Sequence, residues 1–466
     1  MSNPYIANTE ADRRAMLEAV GANSLDDLFA DIPDAQRDPP LRLPPPLSEP
    51  ELLTELSALA GRNRAAGQPD GPYGVACFLG GGAYHHFIPS VVGQILSRGE
   101  FSTSYTPYQP EVSQGTLQAA FEFQSLVCEL LGMEVANAGM YDGASALAEA
   151  CLMAAAITGR RRIAVVETVH PNYEAVARTY AAGRGLAVEQ VTAESPRLTE
   201  ESPRLTEEHA CLVVQQPNFF GYLEDVEALG QAAHAAGALY VAVAEPVSLG
   251  LLRPPGEYEA DIAVGEGQPL GIPLSFGGPY LGLFACRQEY VRQMPGRIVG
   301  RTRDSEGRTG YVLTLQTREQ HIRRERATSN ICTSEQLVAL AATVYLCAMG
   351  KQGLRRVAEL CYHKAHYAAE RIAGLPGYLL PLEEAFFNEF VVACPRPVAE
   401  LNQELLRDGI VGGLDVSPGT DAGLKPGLRG MREPPEHAML LCVTEMNTRE
   451  EIDRLVKALD RLGGGR

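Results

Sequence analysis

Gly80-Gly81-Gly82, Tyr141-Asp142-Gly143-Ala144-Ser145, His170, Glu245 and Gln268 are the residues whose types and spacing point to a small-molecule site. A dinucleotide fingerprint needs G-x-G-x-x-G directly after a strand. The glycine run here continues into Ala83-Tyr84-His85-His86, so that spacing fails. A Walker loop needs a lysine, and only Lys351, Lys364, Lys425 and Lys457 stand among the 40 basic residues, none of them before position 351. No H-E-x-x-H or Cys/His ligand set occurs. Adjacent side chains such as His85 and His86 diverge on any regular element, so no metal is expected. What remains is a pattern for a phosphorylated heterocycle. Small residues and backbone N–H groups at a helix N-terminus, Asp142 to Ser145, suit a phosphate. His170 offers a face for stacking, and Glu245 an acid that would keep a ring nitrogen protonated. Such a site is completed by a lysine that forms a Schiff base. Gln268 stands at that point, and an amide cannot form one.

The elements that must position these residues alternate. Short apolar runs at Ile163–Val166, Leu186–Val191, Cys211–Val214, Leu239–Ala244, Asp261–Val264 and Leu281–Cys286 are separated by helices or loops. Continuous apolar strands of this kind belong in a parallel sheet covered on both faces. Gln114–Leu131 predicts an amphipathic helix with Leu117, Ala120, Phe121, Val127 and Leu131 inward, Ser113 as its cap and Gly132 as its end. Ala146–Ala156 reads as a nearly all-apolar helix and Glu224–Ala236 as a third. Helical patterns also cover Asn8–Val20, Glu49–Arg62, Glu335–Met349, Gly353–Ile372, Val398–Arg407 and Arg449–Leu462, with strand-like Phe386–Ala393 and Met439–Val443. The spacing predicts a helical N-terminal extension over 1–70 that packs on something, a large α/β domain over 71–335, and over 336–466 bridging helices with a small α/β domain. Ser417–Pro435 reads as a surface loop. Ser195–Glu201 repeats at once as Ser202–Glu208, a duplication expected in a tolerant loop.

Composition excludes some partners. With 45% hydrophobic and 21% charged residues the chain is ordinary globular protein, and the net charge of −18 makes nucleic acid an unexpected partner. The longest apolar runs are too short to span a bilayer, and the N-terminus lacks a secretory pattern. Ten scattered cysteines without a C-x-x-C pair fit buried thiols in a cytoplasmic protein.

The order of phosphate loop, stacking His, strand-end acid and missing lysine is that of the aminotransferase-like enzymes of pyridoxal-phosphate fold type I. Within that class the chain resembles the glycine-cleavage P-proteins, the glycine dehydrogenases (decarboxylating). The resemblance rests on FLGGGAYHHFIP (Phe78–Pro89), SYTPYQPEVSQGTLQAAFEFQ (Ser104–Gln124), QQPNFFGYLEDV (Gln215–Val226), GEGQPLGIPLSFGGPYLG (Gly265–Gly282), MPGRIVG (Met294–Gly300) and LQTREQHIRRERATSNICTSEQL (Leu315–Leu337). It extends from about residue 5 to the C-terminus; the chain resembles subunit 1, the lysine-less α chain of the two-chain bacterial form, and also the N-terminal half of the single-chain form. Counting back five residues from the shared Pro273 lands on Gln268, where the family's other chain keeps its lysine. The family usually has Asp-Pro at 245–246, and this chain has Glu245-Pro246.

The resemblance implies a division of labour. Pyridoxal 5′-phosphate is bound covalently by the lysine-bearing β subunit, in an expected α2β2 assembly. The pair decarboxylates glycine, releases CO2 and passes the aminomethyl group to the lipoyl arm of H-protein, and this chain alone is inactive. Asp142, Ser145, His170 and Glu245 are then remnants of a cofactor site. In this fold class active sites lie near a subunit interface, so this chain can supply a wall of the partner's site. The aromatic loop Tyr105, Tyr108, Gln109 and Glu111 and the basic, hydroxyl-rich Arg323, Arg324, Thr328 and Ser329 are the candidates. The Tyr84-His85-His86 cluster reads equally as a partner contact or a satisfied surface patch. Two rivals stay open on sequence alone: a regulatory or binding pseudoenzyme of the same fold, and a lyase that holds the cofactor without a covalent link.

Overall fold

A computed structural model describes residues 5–37, 39–63, 75–192, 205–327, 329–331, 334–382, 384–424, 431 and 433–463. Most of the duplicated stretch and part of the Ser417–Pro435 loop lie outside these residues. The chain forms two units, Met1–Arg64 and Ala65–Arg466.

In the first unit, helices α1 (Glu10–Val20) and α2 (Glu49–Ala60) start at capping boxes. Thr9 accepts from the Asp12 N–H, and the Asp12 carboxylate accepts the Thr9 N–H at 2.7 Å, so two orphan donors of the first turn are satisfied reciprocally. Ser48 and Glu51 repeat the device, and Gly21 closes α1 in the left-handed region. Neither helix has a buried residue; Leu52, Leu53, Leu56 and Leu59 of α2 are all exposed.

The second unit runs β1 (Ala76–Cys77), α3 (Ser90–Leu96), α4 (Gln114–Leu131), β2 (Val135–Ala136), α5 (Gly143–Thr158), β3 (Arg162–Val166), α6 (Pro171–Gly183), β4 (Ala187–Val191), β5 (His209–Gln216), α7 (Val226–Ala235), β6 (Leu239–Ala244), β7 (Ile262–Glu266) and β8 (Gly282–Cys286). A hairpin of β9 (Ile298–Arg303) and β10 (Thr309–Thr314) precedes the long helix α8 (Gln336–Ala373). Then come β11 (Glu389–Ala393), α9 (Val398–Arg407), β12 (Ile410–Val411), β13 (Leu414–Asp415), β14 (Ala438–Cys442) and α10 (Arg449–Gly463).

The main sheet has the order β2-β8-β7-β6-β5-β3-β4. Strands β3 to β7 run parallel, while β8 is antiparallel to β7 and β2 to β8. Every residue of β6 is buried, as apolar strands covered on both faces require. Helix α5 is buried nearly all round, which explains its lack of a polar stripe. The inward stripe of α4 runs through Phe123 rather than Phe121, whose ring packs at 5.4 Å on Tyr311 of the hairpin. Ser113 precedes α4 but makes no side-chain capping bond, because its backbone is not in the extended conformation that aims a cap; Gly132 does end the helix in the left-handed region.

Helix α8 is one element broken at Gly350 (φ 61°), in the gap between the two predicted helices. By length and apolar content it could cross a bilayer, more than the short apolar runs imply. Its inward residues, among them Ala342, Tyr345, Ala358 and Ala365, pack in the protein core instead. The smaller sheet, β11-β14-β13, shares a core with α9 and α10, and β1 pairs in parallel with β12. What positions the site is the row of C-terminal ends of β3, β6 and β7, the usual place for ligands in an open α/β sheet.

Candidate functional site

The candidate residues lie at that end of the sheet, and the side chains there engage one another. At the N-terminus of α5 the Asp142 carboxylate accepts the Ser145 N–H at 2.7 Å, and the Ser145 hydroxyl accepts the Asp142 N–H. The Gly143 N–H, which a phosphate would need, donates to Glu266 at 2.9 Å. Glu266 follows from the end of β7 and also accepts from the N–H groups of Gln268 and Leu281. Tyr173 closes the top: a Cβ added at Gly143 would lie 2.3 Å from its hydroxyl.

His170 caps α6. Its Nδ1 accepts the Asn172 N–H, and its Nε2 donates to the Gly81 carbonyl at 2.8 Å, a pairing that calls for the neutral ring. Burial lowers its pKa in the same sense. The ring stacks on Tyr173 at 5.0 Å and tilts against Phe219 at 4.7 Å. The Glu245 carboxylate folds back on the N–H groups of Val247 and Ser248 at 3.0 and 2.5 Å. Gln268 is 1% exposed and fully bonded: its oxygen accepts the Tyr84 N–H at 2.8 Å, and its amide donates to the carbonyls of Tyr84 (2.9 Å) and Ile272 (2.8 Å).

The glycine-rich segment after β1 is therefore a plug. Tyr84 donates from its hydroxyl to Glu389 at 2.7 Å, and Glu389 also accepts the Gly81 N–H at 2.7 Å. His86 pairs through Nδ1 with Glu445 at 2.7 Å, Cys361 donates to the same oxygen at 3.3 Å, and Glu445 accepts the Phe87 N–H. Tyr84 and His86 are buried, so neither sits on a surface patch; only His85, between them, is half-exposed. Lys364 reaches this cluster but donates its ammonium to the carbonyls of Glu445 and Asn447 at 2.5 and 2.6 Å. Sequence reasoning missed Glu266, Tyr173, Glu389 and Glu445 as site residues. Only Glu266, two residues from Gln268, carried a local signal.

Burial pushes the Glu266 and Glu389 carboxyls up to about 7, and raises Glu245. Pyridoxal phosphate would have to displace carboxylates from the N-terminus of α5, find no amine at 268, and meet a strand-end acid, Glu245, already held by two backbone N–H groups. The residues present do not fit the group.

Glu389 gives a measurable consequence. Its folded pKa lies above the ordinary 4.5, so the folded chain binds this proton more tightly than the unfolded one. That contribution is present below pH 4.5 and is lost as pH rises through about 7. Glu389→Gln cannot ionise, and it keeps both bonds if the Tyr84 hydroxyl turns to accept. It should stabilise the chain by about 1–3 kcal/mol at pH 8 and by less than about 0.5 at pH 4.5. Urea melts at the two pH values check this, and an equal effect at both would count against it.

The wall candidates form a second group. Tyr105 is 80% exposed, and Tyr108, Gln109, Glu111, Arg323 and Arg324 are exposed too. Tyr108 joins the two segments: its ring meets His321 edge-on at 6.1 Å and lies under the Arg297 guanidinium at 5.3 Å. A cavity of about 190 Å³ opens beside it, lined by Tyr105, Phe101, Arg297, Ser334 and Glu335 at the start of α8. Ser329 is buried, with its hydroxyl accepting the Ile331 N–H, so it faces inward rather than along the wall. Thr328 lies outside the described residues.

Comparison with known proteins agrees with this geometry. The family model for the glycine cleavage system P-protein matches residues 3–459. "Probable glycine dehydrogenase (decarboxylating) subunit 1" of Thermomicrobium roseum is 54% identical, with 98% of each chain covered. The protein of the same name in Desulforamulus reducens is 50% identical, covering 98% of this chain and 99% of that one. The crystal structure of an inhibitor-bound glycine decarboxylase (P-protein) of the glycine cleavage system superposes with a TM-score of 0.87 at 45% identity, covering 99% and 100% of the two chains. A sphingosine-1-phosphate lyase of Burkholderia pseudomallei, 14% identical with a TM-score of 0.62 over 92% of this chain and 93% of that one, shares the fold alone. Motifs, sheet order and full-length relatives converge, and the chain belongs to the glycine cleavage system P-protein family.

Proposed function

We infer that this chain is subunit 1 of a two-chain glycine dehydrogenase (decarboxylating), an enzyme by complex rather than by chain. The relatives' name, subunit 1, implies a second subunit. In this reading the second subunit carries the Schiff-base lysine and holds pyridoxal phosphate, which as an electron sink supports the loss of CO2 from glycine. The aminomethyl group left behind goes to the lipoyl arm of H-protein. The assembly is α2β2 and cytoplasmic. The observation that carries the reading is Gln268, an amide at the amine's position, buried and with both ends hydrogen-bonded inside a plugged pocket.

This chain's own contribution is a rigid scaffold and a wall. Tyr105, Tyr108, Arg323 and Arg324 stand exposed, and aromatic and guanidinium groups of that kind are what a desolvated interface or a carboxylate ligand engages. Borohydride reduction of the working pair, followed by mass spectrometry, tests the assignment. The phosphopyridoxyl group should appear on the second subunit alone, in a particle of four chains. An adduct on this polypeptide would overturn it.

A further inference from the structure

His86, Cys361 and Glu445 converge from three distant parts of the chain. His86 belongs to the plug segment, Cys361 to α8 beyond its break at Gly350, and Glu445 to the stretch between β14 and α10. Their donor atoms all lie within 4.8 Å of one another. One Glu445 oxygen is 2.7 Å from His86 Nδ1 and 3.3 Å from Cys361 Sγ. A tetrahedral zinc bonds nitrogen and oxygen at about 2.0 Å and sulfur at about 2.3 Å, which keeps its ligand atoms roughly 3–4 Å apart. The spacing found here brackets that range. His85, half-exposed, is outside the set.

Two further atoms of the cluster lack a partner. His86 Nε2 is buried and unpaired, and so is the hydroxyl of Tyr345, from the first half of α8. Tyr345 lies near enough to feel the charges of Glu445 and Cys361, which add to burial in keeping its hydroxyl neutral. Buried polar atoms nearly always find a partner, so two orphans beside one ligand set mark a place for a further group. The donor types name it. Thiolate and imidazole are poor ligands for magnesium and calcium, which take oxygen, and good ones for zinc. Charge agrees, since one thiolate and one carboxylate balance a divalent cation and a neutral unit is buried.

We propose that His86 Nδ1, Cys361 Sγ and a Glu445 oxygen bind one Zn²⁺, with water as the fourth ligand, and that the ion clamps the plug to α8 and to the end of β14. On binding, the Cys361 thiol proton leaves to solvent, the imidazole keeps one proton on Nε2, and the metal replaces both hydrogen bonds to Glu445; nothing is oxidised or reduced. Joining residues as far as 359 positions apart restricts the unfolded chain, so the clamp stabilises the fold. It does not depend on the two-chain reading above.

The full-length chain, loaded with zinc and dialysed, should retain about one zinc per chain by elemental mass spectrometry. Chelation should lower its thermal midpoint by at least about 3 °C. Cobalt in place of zinc should show a sulfur-to-metal charge-transfer band. Cys361→Ser keeps a hydroxyl for Glu445 and removes the sulfur. It should bind zinc at least about tenfold more weakly, lose the band, and melt at a temperature that chelator no longer moves. His86→Asn, whose amide can still donate to Glu445, should weaken zinc binding to the same extent. Cys347→Ser, exposed on the same helix, should change none of these. A wild-type chain that retains no zinc overturns the proposal and leaves a hydrogen-bonded network closed by water. Zinc held undiminished by Cys361→Ser, a cobalt spectrum without the band, or a midpoint indifferent to chelation of the loaded chain also overturns it, because the ion would then be adventitious and bound elsewhere.

Discussion

Assayed alone, this chain should exchange no label between bicarbonate and the carboxyl group of glycine, and adding the second subunit should raise the rate by at least about 10⁴-fold. The difference follows from covalent chemistry and not from affinity. An amide at position 268 cannot form the Schiff base that a lysine would. Nor should restoring the amine help. Gln268→Lys removes the acceptor of the buried Tyr84 N–H and places an ammonium where an amide is held by three hydrogen bonds. An unpaired buried amide and the desolvated amine together should cost about 2–4 kcal/mol of stability. The phosphate cradle stays filled by Glu266 and Asp142, so the variant should show no cofactor absorbance and no exchange. Exchange by the lone wild-type chain at the level of the pair would refute the two-chain reading. A yellow, active Gln268→Lys chain would instead show that the plug opens, and would refute the account of the closed pocket.

Gly221→Ala should be severely damaging, costing more than about 4 kcal/mol. Gly221 is left-handed, with φ of 89°, in the turn from Asn218 to Tyr222. A Cβ there would lie 2.0 Å from the Glu389 carbonyl oxygen and 2.5 Å from its carbon. Those are main-chain atoms of β11 and cannot swing aside like a side chain. The turn cannot back away either, because the Gly221 carbonyl accepts the Phe387 N–H at 3.1 Å and its N–H donates to Asn218 at 2.8 Å. Gly419 is the control. It has the same backbone conformation, φ 90°, with no atom within 4 Å of an added Cβ. Gly419→Ala should therefore cost only the left-handed penalty, about 1 kcal/mol. Denaturant titration of the two variants separates conformation from collision; equal losses would show the close approach at Gly221 to be harmless.

Local patterns foretold the frame of the second unit well. Helices α4 and α9 and strand β6 have the predicted bounds, and the Gly350 break falls between the two predicted halves of α8. These elements are set by apolar periodicity and by glycine, both of which act over a few residues. The β9–β10 hairpin was not foreseen, because its residues are mostly half-buried or exposed and carry no continuous apolar run. Helix α6 was missed for a similar reason: only Glu174, Ala177 and Ala181 are buried along it. At the site, chain order singled out Asp142, Ser145, His170, Glu245 and Gln268 as candidates, but not the groups that engage the segment around them. That engagement depends on Glu389 and Glu445 meeting a segment about 300 residues earlier, which no window of sequence contains.

That long reach also bears on how the molecule is made. The plug's anchors are Glu389, 308 residues after Gly81, and Glu445, 359 residues after His86, while β1 waits for β12. A ribosome will have released the main sheet before either anchor emerges, so the nascent chain carries an open cleft until Glu389 and Glu445 follow. Any ligand able to enter would have to do so in that interval, before Glu389 and Glu445 arrive to shut the door.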